Sequence, residues 1–118
     1  AFFDVLRDEK IEGVVFLTGD RHFTELLKTQ PEGMYPLYDF TCSPLTSWIR
    51  KVAGRDEESE KKNRVAGTQV VDYNFGKIAV SGPADNRKLT LSVFDRYGNE
   101  IWEKEILRNE LTFPASSK

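Results

Sequence analysis

The sequence predicts an α/β chain of the α+β kind, with flanking helices and mostly antiparallel strands that end in a hairpin. Two observations carry this expectation. A helical pattern runs through a glycine into the unbroken apolar run VVFL (14–17), followed by a polar Gly-Asp turn. Far downstream, Arg96, Tyr97, Gly98 and Asn99 connect the alternating segment 88–95 to 100–107, which returns with Ile101, Trp102 and Ile106. The first pattern is the rhythm of an α/β unit, in which sites lie in the loops beyond the carboxyl ends of the strands.

Taken in order, Phe2, Phe3, Val5 and Leu6 stand at helical spacing between Asp4, Arg7 and Asp8, as in the end of an amphipathic helix. Glu12-Gly13 stops it. The run 14–17 suits a strand buried on both faces. Residues 23–27 (FTELL) fit either a strand or a short helix. Gln30-Pro31-Glu32-Gly33 has turn chemistry. Residues 35–41 (YPLYDFT) favour a strand with Pro36 near its beginning. Ser43-Pro44 is a helix-start signal for a brief helix over 45–52. Residues 53–67 form an exposed charged excursion, in which Glu57 with Lys61 and Glu58 with Lys62 have helix-supporting spacing. Strands follow at 73–81, 88–95 and 100–107, with a turn over 82–86, and the tail from Thr112 is loose.

Length and composition bound the rest. The 118 residues suffice for one domain, 1–118, with a real core. Apolar residues at 39% and charged residues at 31% mark a globular chain rather than a disordered one. A net charge of -2 with no basic face argues against nucleic-acid binding driven by phosphate neutralisation. No apolar run approaches the roughly 20 residues of a membrane segment. The opening AFFDVLRDEK is amphipathic and acidic, unlike a secretion signal, and reads as the middle of a longer polypeptide. The single cysteine, Cys42, cannot form an internal disulfide and is read as a small packing residue rather than a nucleophile.

The chemistry concentrates after the first strand. His22 is the only histidine, Asp20 lies two residues before it, and Gly19 lets the backbone turn. A carboxylate and an imidazole at i and i+2 can converge on one or two metal ions, and both suit zinc, iron or manganese. Arg21 between them adds a cation fitted to phosphate oxygens. The same pair also suits a surface ion pair or a satisfied core histidine. Two ligands make only a half-site, because a catalytic metal takes three or more protein donors.

The segments GVVFLTGDRHF, YPLYDFTCSPLT and YNFGKIAV resemble the carboxy-terminal part of the alkaline phosphatase D (PhoD-like) family of metallophosphatases, within the wider calcineurin-like phosphoesterases. The likeness runs from about residue 11 to about residue 102. It implies the carboxy-terminal half of a layered metallophosphatase β-sandwich, packed on an amino-terminal half of the same enzyme that carries the remaining ligands. Residue by residue, His22 matches the family's final metal-ligating histidine. Asp20 replaces the preceding histidine and faces the other metal or the substrate, and Arg21 is the catalytic candidate beside them. Tyr38, Asp39 and Thr41 fall in the next strand as packing or supporting residues, with Asp39 a candidate to orient His22. The implied activity is hydrolysis of phosphate mono- or diesters with divalent or trivalent iron, calcium, zinc or manganese, in a periplasmic or extracellular parent. The chain alone is expected to be inactive. The family's earlier metal motifs do not occur within it, so the rival expectation is a non-catalytic β-rich interaction or structural module.

Overall fold

The computed structural model describes residues 1–50 and 61–115. Among these residues it is a β-rich α+β fold with two three-stranded sheets and a short α-helix. The helix α1 (Phe2–Asp8) ends where Lys10 takes a φ of 54° and Gly13 one of 75°. The left-handed backbone breaks the i→i−4 ladder there. Strand β1 (Val15–Thr18) follows, then β2 (Thr24–Thr29), which resolves the ambiguous 23–27 segment as a strand, and β3 (Leu37–Cys42). β3 lies in the centre of this sheet, parallel to β1 (Val15 opposite Tyr38) and antiparallel to β2 (Thr24 opposite Cys42).

The second sheet is the antiparallel meander β4 (Asn74–Ser81), β5 (Lys88–Asp95) and β6 (Glu100–Leu107), in that spatial order. The alternating pattern that predicts the hairpin also sets its register, because a slip of one residue would turn Leu91 and Val93 out of the core. Asp95 closes the connection by accepting from the backbone N–H groups of Tyr97 and Asn99, each at 2.9 Å. A 3₁₀ turn, Arg108–Leu111, follows β6 and buries Leu111.

The two sheets share one core. Leu26, Tyr38 and Phe40 of the first sheet meet Leu91, Val93 and Ile106 of the second. Phe40 and Trp102 pack edge to face at 5.7 Å. Gly76 lets β4 close over β3, because a Cβ at this position would lie 2.9 Å from the Phe40 ring and 3.2 Å from Cys42 Sγ. Buried Asn74 joins three strands: its Oδ1 accepts from Thr24 Oγ1 at 2.6 Å and from Cys42 Sγ at 3.5 Å. Burial pushes the Cys42 thiol pKa up, against smaller opposing effects of Thr24 and the Gly76 backbone, which suits its reading as a packing residue.

Four sequence expectations change. β1 is not buried on both faces: among the described residues it is an edge strand with one neighbour, and Leu17 is 61% exposed. Burial on both faces requires a strand on each side and a layer on each face. No helix forms over the described part of 45–52, because the backbone groups of Trp48 and Arg50 bond across to His22 instead of along their own segment. Most of the charged excursion 53–67, including Glu57 and Glu58, lies outside the described residues. Of its described residues Lys61, Lys62, Ala66 and Gly67 are exposed, but Arg64 is not: its Nε sits 2.6 Å from the fully buried Glu25 carboxylate. The start of the tail is also packed, with Phe113 edge-on to Tyr35 at 5.2 Å.

Residues 63–70 cover the outer edge of β2. Thr24 and Val70 exchange backbone hydrogen bonds, Val65 N–H donates to Leu26 O at 2.9 Å, and Lys28 N–H donates to Asn63 O at 2.8 Å. Among the described residues nothing pairs with the outer edge of β1. No helix of the described residues is long and apolar enough to cross a bilayer.

Two stability measurements check this packing. Gly76→Val is expected to destabilise the fold by about 2 kcal/mol in urea titration, since it overpacks Phe40 and Cys42. Glu25→Ala is expected to cost about 3 kcal/mol, because it strips Arg64 of the carboxylate that offsets its burial.

Candidate metal centre

Because β1 and β3 run parallel, the loops that leave them start from the same end of the sheet. One loop is 19–23, carrying Asp20, Arg21 and His22; the other is 43–50. Ser43 joins them. Its Oγ accepts from the backbone N–H of Arg21 at 3.1 Å and of His22 at 2.9 Å. Further back, Thr18 Oγ1 donates to Asp39 Oδ1 at 2.7 Å and ties β1 to β3 below the loops.

The first loop is strained. Asp20 has a φ of 67° and His22 a φ of 64°, both left-handed without being glycine. Asp and His tolerate this region better than most residues, yet each position costs about 1–2 kcal/mol relative to relaxed backbone. Ser43 provides the compensating bonds.

The imidazole of His22 is fixed in orientation and tautomer. Its Nδ1 lies 2.8 Å from the Trp48 carbonyl oxygen. A carbonyl can only accept, so Nδ1 carries the proton and donates, and the lone pair of the neutral ring sits on Nε2. A ring nitrogen held this way through its partner is the common arrangement of a metal-binding histidine. The His22 and Trp48 rings also pack at 4.4 Å between centroids, and Arg50 N–H donates to His22 O at 3.0 Å. His22 therefore has packing partners as well as an available Nε2.

Asp20 is exposed, and among the described residues it makes neither a hydrogen bond nor an ion pair with His22. A surface ion pair between the two is thus not what the turn builds. The Arg21 guanidinium lies 4.9 Å from the centre of the Phe23 ring and 4.0 Å from the Glu25 carboxylate. Asp39 accepts from Thr18 rather than from His22, so the Trp48 carbonyl takes the orienting role foreseen for Asp39. Tyr38 and Thr41 are buried in the sheet, and the Tyr38 hydroxyl donates to Glu110 Oε1. Desolvation pushes the Tyr38 pKa far up, reinforced by the Glu110 carboxylate, which keeps it a neutral donor.

Among the described residues no three of the His, Cys, Asp and Glu side chains gather closely enough to hold a metal ion. The donors present, an oriented Nε2 and an exposed carboxylate, are of the kinds that a metal centre uses. Sequence reasoning missed Ser43, Trp48 and Glu25. A parallel β1–β3 pairing would have pointed to Ser43 and Trp48, but nothing in the local sequence reveals that pairing. Comparison with protein-family models, curated proteins and solved structures gives no match.

The strain can be tested at Asp20. Asp20→Gly, which accepts a positive φ, is expected to retain at least 1 kcal/mol more stability than Asp20→Ala, as read from paired thermal melts. Equal melts would show that the turn relaxes at no cost. Ser43→Ala is expected to lower stability by about 1–2 kcal/mol by leaving two N–H groups without their acceptor.

Proposed function

We propose that this chain is the carboxy-terminal part of a metal-dependent phosphoesterase of the alkaline phosphatase D type, contributing His22 and Asp20 to a metal centre that hydrolyses phosphate mono- or diesters. The observation that carries this reading is the Nδ1–H bond from His22 to the Trp48 carbonyl, which leaves Nε2 as a ready donor on a strained turn. Strain held at a loop beyond a strand's carboxyl end is a common mark of a working site.

When bound, the metal ions would polarise the phosphoryl group and acidify a water molecule. His22 would hold one ion through Nε2, and Asp20 would bind a second ion or the substrate from the preceding turn position. Arg21 would steady negative charge on the phosphoryl oxygens, with Glu25 holding its guanidinium near the loop. The metal is one of iron, calcium, zinc or manganese.

The remaining ligands would come from an amino-terminal half of the same enzyme. Three features of one side of the fold support a docked layer there. The outer edge of β1 is unpaired among the described residues and lacks the charges or proline that usually guard an edge. Leu17 and Val80 are 61% and 66% exposed, beside a cavity of about 360 Å³ that Val15, Ile78 and Leu89 help to line. On the other face of β1, Phe2 of α1 meets Phe16 at 5.8 Å yet stays 55% exposed.

His22→Asn tests the reading in the intact protein. An Asn amide can keep donating to the Trp48 carbonyl but offers no donor in the place of Nε2. Metal content and phosphoesterase turnover are expected to fall together by about 100-fold or more, beyond the 10–100-fold typical of losing an outer partner, with under about 1 kcal/mol lost from the metal-free fold. Full metal content with full turnover in this variant would reject the proposal and favour a non-catalytic module.

A further inference from the structure

We propose that the exposed indole of Trp48 seats a flat aromatic group on the leaving side of the phosphate ester, so that the preferred substrates carry an aryl or nucleobase ring. This inference rests on the phosphoesterase reading and assigns its substrate class.

Trp48 is 66% exposed, although it is one of the largest apolar side chains in the fold. The contrast with Trp102 is informative. Trp102 is half-buried, packs on Phe40 and donates its indole N–H to Thr68 O at 2.8 Å. The Trp48 indole N–H has no hydrogen-bond partner among the described residues, and its one ring contact is His22. Burial in the fold therefore does not account for a tryptophan at position 48.

Its placement is nonetheless firm. The Trp48 carbonyl accepts from His22 Nδ1, and two residues on, Arg50 N–H donates to His22 O. The backbone on both sides of the indole is thus bonded to the residue whose Nε2 faces the proposed metal. With the rings 4.4 Å apart and tilted by 45°, His22 covers only part of the indole, and the rest remains open beside the site. A rigid aromatic surface next to a phosphoryl-binding group offers stacking, which any planar π-face accepts and a saturated chain does not. Leu45, 62% exposed on the same segment, adds apolar surface. Arg50, also exposed there, adds a cation suited to π-faces and to phosphate.

The test separates the side chain from the backbone. Trp48→Ala keeps the carbonyl that orients His22 and removes only the ring. In the metal-loaded intact protein, Trp48→Ala is expected to lose about tenfold more kcat/KM on phenyl phosphate than on ethyl phosphate. The extra loss should fall on KM, and Trp48→Phe should restore most of it. Without turnover, phenylphosphonate should quench tryptophan fluorescence of the wild-type protein more than methylphosphonate does, and this difference should vanish in Trp48→Phe. Equal losses on the two esters, or a quench that persists in Trp48→Phe, overturn the aromatic seat and leave Trp48 a positioning residue. A wild-type protein that hydrolyses neither ester overturns the phosphoesterase reading, and the seat with it.

Discussion

The candidate centre depends on one constraint, the parallel pairing of β1 with β3 and the Ser43 hydroxyl that this pairing places over the loop after β1. Two residues in left-handed backbone would relax if their neighbours allowed it. Here the N–H groups of Arg21 and His22 converge on a single oxygen, and the chain on either side is held by sheet hydrogen bonds. The second loop then contributes the Trp48 carbonyl, which sets the tautomer of His22. Orientation of the imidazole is a consequence of strand direction. Were β1 and β3 antiparallel, their following loops would leave from opposite ends, and neither Ser43 nor Trp48 could reach the turn.

Below the loops, buried polar groups make the arrangement specific. Apolar contacts alone tolerate sliding of one sheet over another, whereas a buried hydrogen-bonding group without its partner costs about 1–3 kcal/mol. Asn74 between Thr24 and Cys42, and Glu25 with Arg64, each admit one register. Glu25 also lies within reach of Arg21, so the ion pair that docks the 63–70 stretch on β2 touches the candidate site.

The two edges of the first sheet differ in a way that bears on the proposed function. The β2 edge is closed by 63–70 through backbone hydrogen bonds, while the β1 edge is open among the described residues and flanked by exposed Leu17 and Val80. An apolar, unguarded edge on one side only is what a sheet that continues into another part of its protein would present. Among the described residues the uncovered side is that of the strand leading to Asp20 and His22, so the layer proposed above would bring further donors toward the proposed centre.

By itself, the sequence determined the local structure. Alternation in 88–95 and the turn residues 96–99 specified the hairpin and the inward face of β5, Gly13 and Pro31 marked breaks, and the solitary histidine beside Asp20 marked where chemistry could lie, because each of these signals is encoded within a few neighbouring residues. Tertiary structure alone decided that β1 is an edge strand, that the segment after Pro44 bends rather than coils into a helix, and that Arg64 is drawn out of a charged run onto Glu25. It also decided that Ser43, Trp48 and the turn at 20–22 come together. Each of those outcomes depends on partners some 20 to 40 positions away, chosen by strand order and direction, and no window of local sequence contains that choice.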